Sequence, residues 1–211
     1  MLTIVWDVDD VLNDLMYQWF VTEWVPSHPD CLVAYSGLAA NPPHASLGAT
    51  LPEYLESMDL FRKSDAGIAL TPNPEVLAWF SRYGSHSRHI ALTARPLESA
   101  PEVAAWVFRH FGKWIRCFGV VPSRQTDNAP EYDQSKGDFL RWLGKGDILV
   151  DDTPANLEHA QQLGLKAFAW PQPWNGSTMS TTEILHDLAT IPTVDMQGNR
   201  PDFETEDNDG T

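Results

Sequence analysis

Residues that can bind a cation or a phosphate group occur at four places in the sequence, each beside a short apolar segment. They are Asp7-Val8-Asp9-Asp10, Thr93-Ala94-Arg95, Lys136 and Asp151-Asp152. Carboxylates brought together repel one another and raise each other's pKa unless a cation lies among them. Mg²⁺ suits such a group of oxygen ligands, because it takes one or two carboxylates and leaves positions for water and phosphate. The lysine and the threonine hydroxyl would then donate hydrogen bonds to the phosphate.

Each of these groups, taken alone, also has an ordinary structural explanation. A D-x-D sequence after a strand is often a solvated turn, and Thr93 could be a strand-end or helix-capping hydroxyl. Lys136 could be a surface charge. Asp151 and Asp152 could cap the helix that Pro154 begins, because acidic residues favour helix N-termini. The functional interpretation therefore depends on all four groups meeting at one place.

The elements between these groups predict such a meeting place. Five apolar segments read as strands, namely Leu2–Trp6, Arg88–Leu92, Ile115–Val121, Asp147–Val150 and Lys166–Trp170. Four helices lie between them, each followed by a glycine typical of a left-handed C-terminal cap: Pro74–Tyr83, Ala100–Phe111, Ser135–Leu143 and Pro154–Leu163. This alternation predicts an α/β fold, a parallel sheet with helices on both faces. Such sheets bind ligands at the carboxyl ends of their strands, where the four polar groups belong.

The first 70 residues have a different pattern. Val11–Trp24 is apolar and aromatic and predicts one helix, and Leu51–Leu60 predicts another, with Thr50 and Glu53 spaced as a capping box. The segment between the two helices is rich in Pro, Gly, Ser and Ala and is predicted to be loop.

In order and content, the four polar groups resemble the motifs of the haloacid dehalogenase superfamily of hydrolases. The matching segments are D-V-D-D-V at Asp7–Val11, L-T-A-R-P at Leu92–Pro96, Lys136, and V-D-D-T-P-A-N at Val150–Asn156. The resemblance implies a Rossmann-like core with a small helical cap inserted after the first strand. One departure is Asp10, which stands where many phosphatases of the superfamily have glycine.

The resemblance also implies a role for each matching residue. Asp7 would be the nucleophile that forms a phosphoaspartate, and Asp9 would protonate the leaving oxygen and then deprotonate water. The residues expected to bind the phosphoryl group are Thr93, Ala94 and Lys136. Mg²⁺ would be bound by Asp7, the Asp9 backbone carbonyl and Asp152, with Asp151 as the second candidate for the last position. A carboxylate nucleophile divides phosphate transfer into two easier steps, which agrees with this chemistry.

The same comparison predicts how the chain is divided. Residues 1–12 and 71–190 are expected to form the catalytic core, and residues 13–70 the cap. Residues 191–211 are expected to be a disordered tail, since Asp195–Thr211 holds six acidic residues against Arg200 alone.

Composition excludes several classes of protein. The 211 residues carry a net charge of −15, which makes the chain a poor candidate for binding long nucleic acid. No apolar run approaches the roughly 20 residues of a membrane span, and the N-terminus does not resemble a signal peptide, so a cytoplasmic location is expected. Cys31 and Cys117 are too few for a disulfide framework and are expected to be reduced thiols.

The substrate is expected to be a small phosphorylated molecule, and the sequence leaves its identity open. Val11 and the segment Pro173-Trp174-Asn175 resemble the 5′(3′)-deoxyribonucleotidase branch of the superfamily, which implies a mononucleotide. Aromatic residues in 13–70 could stack on a base or simply form the core of the cap. The alternatives are another small metabolite such as a sugar phosphate, and a catalytically silent binding domain on the same scaffold. The sequence does not indicate an oligomeric state.

Overall fold

A five-stranded parallel sheet forms the centre of the protein in a computed structural model that describes residues 1–123, 130 and 132–191. The strands are β1 (Thr3–Trp6), β2 (Arg88–Arg95), β3 (Ile115–Pro122), β4 (Ile148–Asp151) and β5 (Lys166–Ala169). Their order across the sheet is β3-β2-β1-β4-β5, and every neighbouring pair is parallel. The predicted Rossmann-like α/β fold is therefore confirmed.

Nine α-helical segments are present in the described residues. They are α1 (Leu15–Trp19), α2 (Val25–Ser27), α3 (Leu51–Lys63), α4 (Asp65–Ile68), α5 (Pro74–Tyr83), α6 (Ala100–Phe111), α7 (Lys136–Leu143), α8 (Pro154–Gln162) and α9 (Thr181–Thr190). A π-helix, Phe20–Trp24, joins α1 to α2. The predicted capping box at the start of α3 is present, since Thr50 accepts from the Glu53 N–H and Glu53 accepts from the Thr50 N–H.

Helices cover both faces of the sheet. Since successive side chains of a strand point to opposite sides, neighbouring residues of β1 contact different helices. Ile4 and Trp6 of β1 join a buried cluster with residues of α5, α6 and α9. Val5, between them in sequence, joins a second cluster with Leu140 of α7 and Leu157 of α8. The buried sheet fixes the positions of the residues at its carboxyl edge.

The segment of residues 13–70 has a hydrophobic cluster of its own. Its buried members include Trp19, Tyr54 and Phe61, and most of its members come from this segment. The segment begins and ends at neighbouring positions: the Asn73 N–H donates to the Leu12 carbonyl at 2.8 Å, and residues 13 and 72 form an antiparallel bridge. The division into core and cap stays a prediction.

The predicted single helix over Val11–Trp24 is wrong in its first turn. Polar side chains accept hydrogen bonds from the backbone N–H groups at the start of α1. Asn13 accepts from the Leu15 N–H at 3.1 Å, and Asp10 accepts from the Met16 N–H at 2.8 Å. Residues 11–14 therefore belong to the turn that follows β1, and the helix begins only at Leu15. The predicted β2 was too short, since pairing with the long β3 extends it to Arg95.

Two of the predicted glycine caps are left-handed and two are not. Gly144 and Gly164 have φ values of 57° and 80°, as predicted. Gly84 and Gly112 have φ values of −60° and −61°. At Gly84 the reason for glycine is space, since a Cβ atom there would lie 2.7 Å from the Trp114 ring.

Other predictions are only partly reached by the described residues. Of the tail predicted to be disordered, only Ile191 is described, and residues 192–211 lie outside. No helix in the described part of the chain is long and apolar enough to cross a membrane. Cys31 and Cys117 are free cysteines. The cytoplasmic location stays a prediction.

Candidate functional site

The four polar groups singled out in the sequence meet at the carboxyl edge of the sheet. Asp7 follows β1 directly, and its N–H donates to the Val150 carbonyl of β4 at 2.9 Å. Lys136 is the first residue of α7. A cavity of about 140 Å³ lies above this edge, and most of the predicted site residues line it: Asp7, Asp9, Thr93, Ala94, Lys136 and Asp152. The remaining one, Asp151, is fully buried and contacts the Lys136 ammonium.

Lys136 joins two of the carboxylates. Its Nζ lies 2.7 Å from Asp7 Oδ1 and 2.7 Å from Asp151 Oδ2, and the side chain is almost completely buried. The second oxygen of Asp151 accepts from the Thr153 N–H at 2.9 Å and from Asn156 Nδ2 at 3.0 Å. Burial alone would lower the pKa of Lys136, but the two carboxylates raise it above its usual value. The lysine is therefore a fixed positive charge.

Three carboxylates form a group that could hold a metal ion. One oxygen each of Asp7, Asp151 and Asp152 lies within 4.8 Å of the others. Burial raises the pKa of Asp7 well above its usual value, against the opposing effect of Lys136. Burial and the neighbouring Asp151 raise the pKa of Asp152 to about 6. Excess negative charge among buried oxygens is the condition that a divalent cation relieves.

Asp9 is paired with an arginine and is not a member of the group of three carboxylates. Arg95 Nε and Nη2 donate to the two Asp9 oxygens at 2.6 and 2.5 Å, a bidentate pair. Burial would raise the pKa of Asp9, but Arg95 outweighs it and the pKa lies below the usual value. Sequence reasoning placed Arg95 only as part of a motif. Its position two residues after Thr93 on an extended strand was the available signal, because such residues share a face.

Asp10 has more contacts than a simple turn residue. Its φ is 61°, in the left-handed region that favours glycine and that Asp tolerates better than most residues. Its side chain accepts from the Met16 N–H at 2.8 Å, and its carbonyl accepts from Gln172 Nε2 at 2.8 Å. Burial, followed by the charges of Asp152 and Asp9, raises its pKa well above the usual value. Aspartate at this position thus keeps the backbone conformation that glycine would adopt and adds a hydrogen bond to α1.

The Thr93 hydroxyl is a buried polar group without a partner. Thr93 is 1% exposed, and its Oγ1 has no hydrogen bond to any described residue. Leaving such a group unpaired costs about 1–3 kcal/mol, which a ligand oxygen in the cavity would recover. The hydroxyl is therefore suited to an anionic ligand that also contacts Lys136.

The sequence did not identify Trp174 and Asn156 as site residues, although both contact the carboxylates of the site. Trp174 Nε1 donates to Asp152 Oδ2 at 2.8 Å, and Asn156 binds Asp151. Trp174 was noted in the sequence only for its resemblance to a nucleotidase segment. Its contact with Asp152 spans 22 positions and carries no periodic signal.

No protein-family model and no curated protein matches the sequence. Solved structures do match. One is a haloacid dehalogenase-like family hydrolase from Streptococcus pneumoniae, with 14% identity, a TM-score of 0.54 and coverage of 88% of this chain and 90% of that one. A protein assigned as a β-phosphoglucomutase from Thermotoga maritima has 16% identity and a TM-score of 0.53, over 91% of this chain and 100% of that one.

A third match is a protein assigned as a phosphoglycolate phosphatase from Lactobacillus plantarum. It has 13% identity and a TM-score of 0.51, and the match covers 79% of this chain and 86% of that one. This chain has the fold of haloacid dehalogenase-type hydrolases. Identities this low show the fold alone, and none of these three is described as a nucleotidase.

Proposed function

We propose that the protein hydrolyses small phosphate monoesters through a phosphoaspartate formed on Asp7. The observation that carries the proposal is the position of the Lys136 ammonium, 2.7 Å from the Asp7 carboxylate at the edge of a cavity that Thr93 also lines. A buried cation beside a carboxylate nucleophile, with an unpaired hydroxyl nearby, can hold the oxygens of a transferring phosphoryl group. Ala94 forms part of the same cavity wall.

The proposed reaction has two steps. An Asp7 oxygen attacks phosphorus, a P–O bond to Asp7 forms, and the bond to the leaving oxygen breaks with its electron pair going to that oxygen. Water then attacks the phosphorus of the phosphoaspartate, which releases inorganic phosphate and restores the Asp7 carboxylate. Lys136 and Thr93 bind the phosphoryl oxygens in both steps.

The all-oxygen group of Asp7, Asp151 and Asp152 fits Mg²⁺. We assign Asp7, Asp152 and the Asp9 backbone carbonyl as ligands, because Asp151 already accepts three hydrogen bonds, one of them from the Lys136 ammonium. Asp152 accepts two, and the one at Oδ1 is long at 3.4 Å. Asp151 would instead hold Lys136 in place. When bound, Mg²⁺ supplies positive charge that offsets the charge on the phosphoryl oxygens.

Asp9 is the proposed proton donor and acceptor. The Arg95 pair favours its ionised form, which is the form that accepts a proton from water in the second step. In the first step Asp9 must carry a proton, so substrate binding has to weaken this pair. Phosphate oxygens compete well for a guanidinium group, and the substrate itself is the proposed competitor.

Residues 13–70 are proposed to act as the cap over this cavity. Several of its side chains line the cavity opposite the sheet: Leu15, Met16, Asn41, Tyr54, Met58 and Arg62. Tyr54 is the only aromatic residue among the described lining residues. Of the other aromatic residues of the segment, all but the exposed Tyr17 pack in its own cluster. With a cavity of about 140 Å³, this lining favours a compact phosphate ester over a nucleotide.

A mononucleotide stays the second candidate, supported by Tyr54 and by the position of Trp174 beside Asp152. The third candidate is a catalytically silent binding domain, and the complete set of proposed catalytic side chains argues against it.

Phosphate release from p-nitrophenyl phosphate, with and without Mg²⁺, separates enzyme from non-enzyme. A panel of sugar phosphates, phosphorylated hydroxy acids and nucleoside monophosphates then ranks the substrates, with Asp7→Asn as the inactive control.

A further inference from the structure

Arg62 brings a cation into the cavity from the 13–70 segment. It lies near the C-terminal end of α3 and lines the cavity together with Asp7, Thr93 and Lys136. Its side chain is 14% exposed, so the guanidinium lies mostly out of water. Arg62 thus belongs to the part of the cavity lining that residues 13–70 provide, whereas Asp7, Thr93 and Lys136 line it from the sheet edge.

The hydrogen bonds of Arg62 are incomplete. Nη1 binds Asp59 Oδ1 at 3.1 Å, an acid one turn earlier on the same helix. The buried Nε–H has no hydrogen-bond partner in the part of the chain that the structure describes. A single-turn pair on a helix contributes little, and it does not explain why a guanidinium with an unpaired N–H is placed here.

Among the described residues, two other cations lie near this carboxyl edge, Lys136 in the cavity wall and Arg95 next to Asp9, and both are already paired. Lys136 lies between Asp7 and Asp151, and Arg95 forms a bidentate pair with Asp9. Arg62 is therefore the cation of the described cavity lining that is paired with none of the predicted catalytic carboxylates, which leaves it to bind a part of the substrate beyond the phosphoryl group.

We propose that Arg62 binds a carboxylate on the leaving-group side of the substrate, which makes the preferred substrate a short phosphorylated hydroxy acid. This inference rests on the proposed phosphatase function. The planar fork of a guanidinium matches the two oxygens of a carboxylate. The size of the cavity leaves room for only a short chain between the two anionic groups.

The test compares two esters that differ only in this group, 3-phosphoglycerate and glycerol 3-phosphate. The wild-type protein is expected to have a kcat/KM at least about 10-fold higher for 3-phosphoglycerate. Arg62→Gln should reduce that ratio about 10-fold or more, and Arg62→Lys should reduce it less, because a lysine keeps the charge and loses the fork. An equal ratio in wild type and Arg62→Gln would overturn the proposal.

The matched control is Arg141→Gln. Arg141 pairs with Asp138 at 2.8 Å with the same spacing as Arg62 and Asp59, but it lies exposed on α7 away from the cavity lining. It should leave the ratio unchanged. Melting curves of all variants separate loss of preference from loss of fold.

A binding measurement keeps this inference separate from the phosphatase function. In the Asp7→Asn background, calorimetry should show 3-phosphoglycerate binding that Arg62→Gln weakens about 10-fold or more. Arg62-dependent binding without turnover of any ester by the wild type would support the Arg62 site and contradict the phosphatase. Turnover of p-nitrophenyl phosphate, together with binding that does not depend on Arg62, would support the phosphatase function and contradict the Arg62 site.

Discussion

Arg95 forms a bidentate ion pair with Asp9, which lines the cavity, and the donor–acceptor distances are 2.6 and 2.5 Å. Asp9 lines the same cavity as Asp7, the proposed nucleophile, but it is not part of the carboxylate group that could hold a metal. A proton donor held this way, as proposed for Asp9, must exchange its partner during the reaction, and that requirement makes the proposed role testable.

Asp9→Asn should slow hydrolysis by about 10²–10⁴-fold, the usual contribution of a general acid–base group. The loss should be larger for an alkyl phosphate than for p-nitrophenyl phosphate, because nitrophenolate leaves readily without a proton. Single-turnover rates on both substrates provide the measurement. Equal losses for the two leaving groups would argue against the acid role.

Asp7→Asn should abolish phosphate release while leaving the fold intact, because the amide has nearly the same shape and is a poor nucleophile. Loss of a nucleophile usually lowers the rate by several orders of magnitude. The check is phosphate release together with a circular dichroism spectrum and a melting curve. Normal turnover in a folded Asp7→Asn protein would rule out the phosphoaspartate.

Mg²⁺ should raise the melting temperature of the wild-type protein, because the ion binds the folded state and relieves repulsion among buried carboxylates. EDTA should stop turnover, and added Mg²⁺ should restore it. Asp152→Asn should lose most of the thermal shift. Asp151→Asn should instead lower the melting temperature without metal, because Lys136 loses a buried partner at 2.7 Å. A thermal shift retained in Asp152→Asn but lost in Asp151→Asn would mean that Asp151, and not Asp152, is the metal ligand.

Asp10→Asn should stabilise the metal-free protein near neutral pH. The pKa of Asp10 is raised in the folded state, so its ionisation costs stability as the pH rises through that value. Asparagine removes this charge, tolerates the left-handed φ and still accepts from the Met16 N–H. Asp10→Ala, which loses that hydrogen bond, should be destabilising by about 1 kcal/mol. Urea unfolding of the three proteins measures the differences, and activity of Asp10→Asn should stay within a small factor.

His89 should make the folded state less stable in acid. Its ring accepts from Trp6 Nε1 at 3.1 Å and donates to the Gly84 carbonyl at 2.8 Å, and burial lowers its pKa to about 4. The unfolded chain binds a proton near pH 6.5, so stability is lost between about pH 6.5 and 4, by roughly 3 kcal/mol. His89→Gln should lose less over that interval. Parallel pH profiles for the two proteins in urea unfolding would contradict this.

The sequence predicted the parallel sheet because each buried strand is a short apolar segment and each helix has its own start and end residues. Thr50 and Glu53 show how local such signals are, since both lie within one helical turn. The convergence of Asp7, Lys136 and Asp151 was predictable for the same reason, because parallel strands end on one edge.

Contacts between distant side chains could not be predicted in this way. The Arg95–Asp9 pair spans 86 positions, and the hydrogen bond from Gln172 to the Asp10 carbonyl spans 162. These contacts depend on rotamers and on how the 13–70 segment sits above the sheet, which no local pattern encodes. The helix start at Leu15 could not be predicted, because it depends on the Asn13 and Asp10 side chains, which accept hydrogen bonds from the first N–H groups of the helix. The positions of these side chains are known only from the folded structure.

The hydrogen bond from the Asn73 N–H to the Leu12 carbonyl brings the two ends of the 13–70 segment together. A segment attached at two adjacent points can be lengthened, shortened or exchanged without moving any strand of the sheet. In evolutionary terms, the edge that holds Asp7 and Lys136 and the segment that carries Arg62 can then change at different rates. Under the proposed function, new substrate preferences can arise through changes in residues 13–70 while Asp7, the proposed nucleophile, keeps its position.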